Sequence, residues 1–144
     1  MTRGTAFALA ASLSVLAACA SVPVEAGAPQ EFTIGFGMTA RSGSLGFAPQ
    51  RIEEDSRCPA NVQCVQAGTV RLSVLLSGRG TPRTTILRLG APNQVDPQTW
   101  MTLTRVCPYP AAPAAIRRDQ YRFTIVVSPI PSPGPAPGGP CPIV

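Results

Sequence analysis

Histidine and lysine are both absent from the chain, so all 12 of its cationic side chains are arginine. Without an imidazole there is no Ser/His/Asp triad, no Cys/His pair and no histidine metal ligand, which closes most routes to general-base catalysis near neutral pH. Acids are scarce as well, 7 in 144 residues, and only one tryptophan is present. No helical period of 3.6 is sustained beyond the first 18 residues. The chain is too short for several domains, since single domains cluster near 100 to 150 residues. What is abundant is alanine, arginine and proline, the coding bias of a GC-rich bacterial genome.

The N-terminus opens Met1-Thr2-Arg3-Gly4 and continues as an Ala- and Leu-rich run to Ala18. A basic start followed by a short apolar stretch is the pattern of a secretory signal. The run falls short of the roughly 20 apolar residues that span a bilayer as a helix. It ends in Leu16-Ala17-Ala18-Cys19, which matches a lipobox, where small residues precede a cysteine that receives diacylglycerol. Residues 1–18 are expected to be removed, and Cys19 to become an acylated N-terminus attached to a membrane. Each buried CH2 contributes about 0.8 kcal/mol, so two or three acyl chains hold durably. Ala20 stands at the position where aspartate retains lipoproteins in the inner membrane of enteric bacteria, so the expected location is the outer membrane, facing the periplasm.

Residues 19–30 show no period and read as a lipidated end and tether, whose residues 20–30 reach roughly 35 Å when extended. From residue 31 the period is two. Phe32, Ile34, Phe36 and Met38 alternate with small residues, as do Val70, Leu72, Val74 and Leu76 with their neighbours, and Tyr121, Phe123, Ile125 and Val127 with theirs. Such alternation predicts strands with one buried face. Weaker strands are predicted at 45–52, 84–89 and 100–106, with Ser77-Gly78-Arg79-Gly80-Thr81-Pro82 as a hairpin loop. Residues 31–128 are therefore expected to form an all-β domain. A small antiparallel β-sandwich resembling an immunoglobulin-like fold is the leading candidate, and a small barrel the alternative. Asp119-Gln120-Tyr121 resembles a tyrosine corner, in which the phenol bonds to backbone. Over 129–144, 7 of 16 residues are proline, which predicts an extended tail.

With Cys19 used for lipid, Cys58, Cys64, Cys107 and Cys141 remain, an even number in an exported domain. Four cysteines allow three pairings. The favoured set joins Cys58 to Cys64 across a turn-like loop containing Pro59, and Cys107 to Cys141, which would staple the tail. A four-thiolate zinc site is disfavoured because the spacing lacks paired C-x2-C elements.

The run Asp55-Ser56-Arg57-Cys58-Pro59, then Val62-Gln63-Cys64 and Ala67-Gly68, resembles a family of small exported bacterial proteins and lipoproteins that carry this pattern, usually with an aromatic residue where this chain has Gln66. Pro108-Tyr109-Pro110 belongs to the same likeness, which covers most of residues 31–128. It implies a β-sandwich and no particular activity.

Glu53, Glu54 and Asp55 are three consecutive carboxylates, the ligand type preferred by hard cations such as calcium. On a strand they alternate in direction, so the leading expectation is that Asp55 accepts turn amides and pairs with Arg57, making Asp55, Ser56, Arg57, Pro59 and Gly68 a structural motif. No catalytic pair can be nominated, and neither a metal nor a cofactor is expected. Beyond Ala18 there are 11 arginines against 7 acids, a net charge of +4. Arg71, Arg88 and Arg122 fall in predicted strands, and a shared solvent face would suit an anionic envelope polymer or lipid. Nucleic acid is not an expected partner. The resulting expectation is a non-catalytic binding or structural module of the cell envelope, with a metal-handling lipoprotein and a protease-inhibitor-like module as alternatives.

Overall fold

A computed structural model describes residues 27–132 and Cys141. The leader 1–18, Cys19, most of the tether and most of the proline tail lie outside the described residues. Among the described residues eight strands run in the order β1 (Gln30–Ile34), β2 (Ala40–Ser42), β3 (Leu45–Asp55), β4 (Val70–Ser77), β5 (Arg83–Arg88), β6 (Pro92–Asp96), β7 (Thr99–Cys107) and β8 (Arg122–Ser128). They form two four-stranded antiparallel sheets, β1-β8-β7-β6 and β2-β3-β4-β5, which make the domain a small β-sandwich.

The chain changes sheet at two places, between β1 and β2 and between β5 and β6; every other sequential pair of strands is hydrogen-bonded. The likeness to an immunoglobulin-like fold therefore lies in two packed antiparallel sheets and not in Greek-key connections. At one margin the sheets touch through a bridge between Leu89 and Leu103.

Alternation places the core as expected. Leu72, Val74 and Phe47 from one sheet meet Met101, Leu103, Phe123 and Ile125 from the other, all fully buried. Each such side chain contributes roughly 1.5–3 kcal/mol on burial. Aromatic edges reinforce the join, with Phe32 against Phe47 at 5.3 Å and Phe36 against Phe123 at 5.0 Å.

Several details differ from the period-two reading. The first strand stops at Ile34, because Gly35 and Gly37, the latter with φ +76°, turn the chain. Met38 is consequently half exposed, although Phe36 still packs on the core. The short strands β2 and β6 were not expected. Pro92 opens β6, and β6 is an edge of its sheet, where a missing amide is tolerated.

The sheet containing β7 is also buried on the side away from the core. Met101 faces inward, yet its neighbours Thr102 and Thr104, and Thr124 on β8, are buried too. Thr102 Oγ1 donates to the Ser132 carbonyl at 2.8 Å, and Cys107 at the end of the same strand is bonded to Cys141. The described parts of the tail thus return to the body, as the staple reading required.

Candidate functional site

Both expected disulfides are present, Cys58 to Cys64 and Cys107 to Cys141. The first closes a loop that leaves β3 at Asp55 and re-enters β4 at Val70, two residues paired across the sheet. Just beyond that pair the strands are pinned again. The Ser56 amide donates to the Thr69 carbonyl at 2.9 Å, and the Thr69 amide donates to Ser56 Oγ at 3.0 Å. Gly68 is required here, because a Cβ at this position would lie 1.6 Å from the Ser56 carbonyl oxygen. The tip of the loop is fastened elsewhere. The Pro59 carbonyl accepts the Val62 amide, the Ala60 amide donates to the Pro110 carbonyl at 2.8 Å, and the Asn61 amide group both donates to and accepts from Ala112.

Behind this loop, Arg57 is buried with its side chain 7% exposed, and Asp55 beside it is 13% exposed. The guanidinium grips the carboxylate with two parallel bonds, Nε to Oδ1 at 2.8 Å and Nη2 to Oδ2 at 2.7 Å. Nη1 donates to the Val106 carbonyl on β7. That third contact has a clear cause in the topology. Strand β6 pairs with β7 only as far as Thr102, and the Gly90 amide then takes the Leu103 carbonyl. Further along, no strand among the described residues flanks this side of β7, and the Arg57 side chain takes the place of one at Val106.

Tyr121 completes the cluster by donating its hydroxyl to Asp55 Oδ2 at 3.0 Å. The tyrosine-corner reading is corrected accordingly, since the phenol meets a carboxylate from the opposite sheet and not backbone. Burial by itself would push the Asp55 carboxyl up, but the hydrogen bonds and charge of Arg57, with the Tyr121 hydroxyl, outweigh it and hold Asp55 below the usual carboxylate range. Burial, followed by the hydrogen bond to Asp55 and its negative charge, pushes Tyr121 up to about 12.

The remaining acids named from sequence do not converge. Glu53 pairs with Arg51 at 2.7 Å, and Glu54 accepts from Ser56 Oγ at 3.1 Å. Asp96 ends β6 and pairs with Arg79, whereas Asp119 pairs with Arg117 at the surface. Among the described residues no three His, Cys, Asp or Glu side chains are grouped as metal ligands. Arg71 and Arg88 do share a face, directly opposite each other on β4 and β5. Arg122 does not join them, because it belongs to the other sheet and donates to the carbonyls of Asp119 and Tyr121.

A cleft of about 170 Å³ lies against the buried ion pair, with Arg57, Gly68, Leu89, Arg105, Val106 and Tyr109 among its lining residues. The Arg57 guanidinium sits 5.8 Å from the centre of the Tyr109 ring. Leu89, Arg105 and Val106 carry no local signal that would nominate them, and pairing between sequence-distant segments brings them here. Tyr109 had a signal, its place between two prolines in the recognised pattern. Comparisons with protein-family models, curated proteins and solved structures return no match for this chain.

Proposed function

We infer that the chain is an envelope lipoprotein, acylated at Cys19 and anchored in the outer membrane facing the periplasm. Its β-sandwich serves as a non-catalytic module that binds or braces another envelope component. The observation that carries this reading is the lipobox ending at Cys19 ahead of a domain closed by two disulfides, a covalent pattern suited to an oxidising, exported compartment. The site geometry favours binding over catalysis. Asp55 is committed to Arg57 and Tyr121, so it is not a poised base, and the four paired cysteines offer no thiolate. The same engagement of Glu53, Glu54 and Asp55 speaks against the metal-handling alternative. The resemblance of the Asp55–Gly68 segment to exported bacterial proteins agrees with this placement.

The test is mass spectrometry of the N-terminal peptide from membranes, combined with fractionation of a Cys19→Ser variant. Diacylated or triacylated Cys19, and release of the variant from membranes, support the reading. An unmodified N-terminus at another residue, or a variant that still sediments with membranes, overturns it.

A further inference from the structure

The cleft beside the ion pair has two arginines and no carboxylate-bearing residue among those that line it. One of them, Arg57, is neutralised by Asp55. The other, Arg105, is partly buried and has no ion pair or hydrogen bond from its side chain among the described residues. Its position is set by an irregularity in β7. Pairing with β8 slips between Leu103 and Arg105, so Thr104 is an extra residue, and Arg105 stands opposite Thr124. Bulges of this kind redirect a side chain next to binding sites. Much of the remaining wall is apolar, supplied by Ala67, Leu89 and Val106 together with the Tyr109 ring.

A cation at an apolar-walled cleft with no counter-charge of its own among the described residues is electrostatically incomplete. Low-dielectric walls concentrate its field, and an anion placed there is attracted more strongly than in open water. The planar fork of arginine matches a carboxylate in two-point contact. Building on the binding-module reading, the geometry points to a site for a small carboxylate with an apolar or aromatic body. The carboxylate pairs with Arg105, and the body rests against Leu89, Val106 and Tyr109. The cavity volume limits the ligand to a small molecule or to the terminal residue of a longer chain.

Benzoate, its neutral counterpart benzamide and inorganic phosphate serve as probes, titrated into the full chain with both disulfides formed and followed by NMR shifts of backbone amides. Benzoate is expected to give saturable shifts centred on Thr104 to Val106 and on Leu89. Benzamide, which lacks the charge, and phosphate, which lacks the apolar body, should each bind at least about tenfold more weakly. Arg105→Gln should weaken benzoate by a similar factor, Arg105→Lys should restore part of it, and Arg71→Gln should leave it unchanged. Benzoate and benzamide binding alike, phosphate binding as well as benzoate, undiminished binding to Arg105→Gln, or no shift at the solubility limit of benzoate would each overturn the site. None of these outcomes bears on acylation of Cys19, so failure of the ligand site and failure of the lipoprotein reading remain distinguishable.

Discussion

The Tyr121 hydroxyl donates to Asp55 Oδ2 at 3.0 Å, linking the residue that precedes β8 in one sheet to the last residue of β3 in the other. Asp55 thereby carries two duties: it neutralises the buried Arg57 and it couples the two layers of the sandwich. Removing the phenol oxygen in Tyr121→Phe deletes one hydrogen bond to a charged group and should cost about 1.5 kcal/mol. Asp55→Ala strands a guanidinium without its counter-charge and should cost about 3 to 5 kcal/mol. Urea unfolding should rank Asp55→Ala well below Tyr121→Phe in stability; equal losses would mean that the ion pair contributes little.

The same cluster sets the response to pH. Asp55 has a folded pKa below its unfolded value, so its contribution is present above the unfolded pKa and is lost as pH falls through the folded one. Tyr121 is the opposite case. Its pKa is raised to about 12, so its contribution is complete below its ordinary value and is lost as pH rises through the folded pKa. Wild-type stability should therefore decline below pH 4 and again above pH 10. Tyr121→Phe should flatten the alkaline decline, and Asp55→Asn the acid one, in denaturant titrations across that range.

Gly68→Ala should be among the most damaging single-methyl additions in the chain. Its Cβ would collide with backbone, the Ser56 carbonyl at 1.6 Å, so the neck between β3 and β4 must open. A loss of about 3 kcal/mol is expected. Gly27→Ala, where no atom lies within 4 Å, is the control and should leave the melting temperature unchanged.

The two disulfides should contribute unequally. Their sequence separations are 6 and 34, for which chain entropy gives ~2.4 and ~3.8 kcal/mol. A Cys107→Ser/Cys141→Ser double variant should be the less stable of the two paired replacements. It should also increase proteolysis within the tail, as measured by limited digestion.

Arg71 and Arg88 face one another across β4 and β5, and like charges in that arrangement repel. Arg88→Glu converts the repulsion into an attractive pair and should raise stability by about 0.2–1 kcal/mol, with the gain shrinking at high salt. A decrease in stability at low salt would show that this face needs its positive charge for another reason.

Much of the frame was legible because its cause is local. Alternation over Val70 to Leu76 and over Phe123 to Val127 assigned both the strands and their buried sides, and four thiols beyond Cys19 allowed only three pairings. Asp55 and Arg57, two residues apart, also lie within reach of one another before any folding is considered. The contacts that complete the site were not legible, because each depends on sheet order. Val106 needs Arg57 only because β6 ends too early to cover it. Tyr121 finds Asp55 only because the end of β3 lies across from the start of β8. The buried threonines of β7 and β8 were missed for a related reason: a strand that alternates apolar with polar looks one-sided, and its outer cover comes from residues far along the chain.

The strand order also has a temporal side. Within the sheets, β2 to β5 and β6 to β8 pair with sequence neighbours, so these hairpins can form as soon as their residues are available. The exception is β1, whose only hydrogen-bonded partner strand among the described residues is β8. Strand β1 is made well before β8 and must wait for it, and through that interval Phe32 and Ile34 lack the strand they pair with. The interval before β8 arrives is when a nascent chain of this protein is most exposed to pairing with the wrong strand.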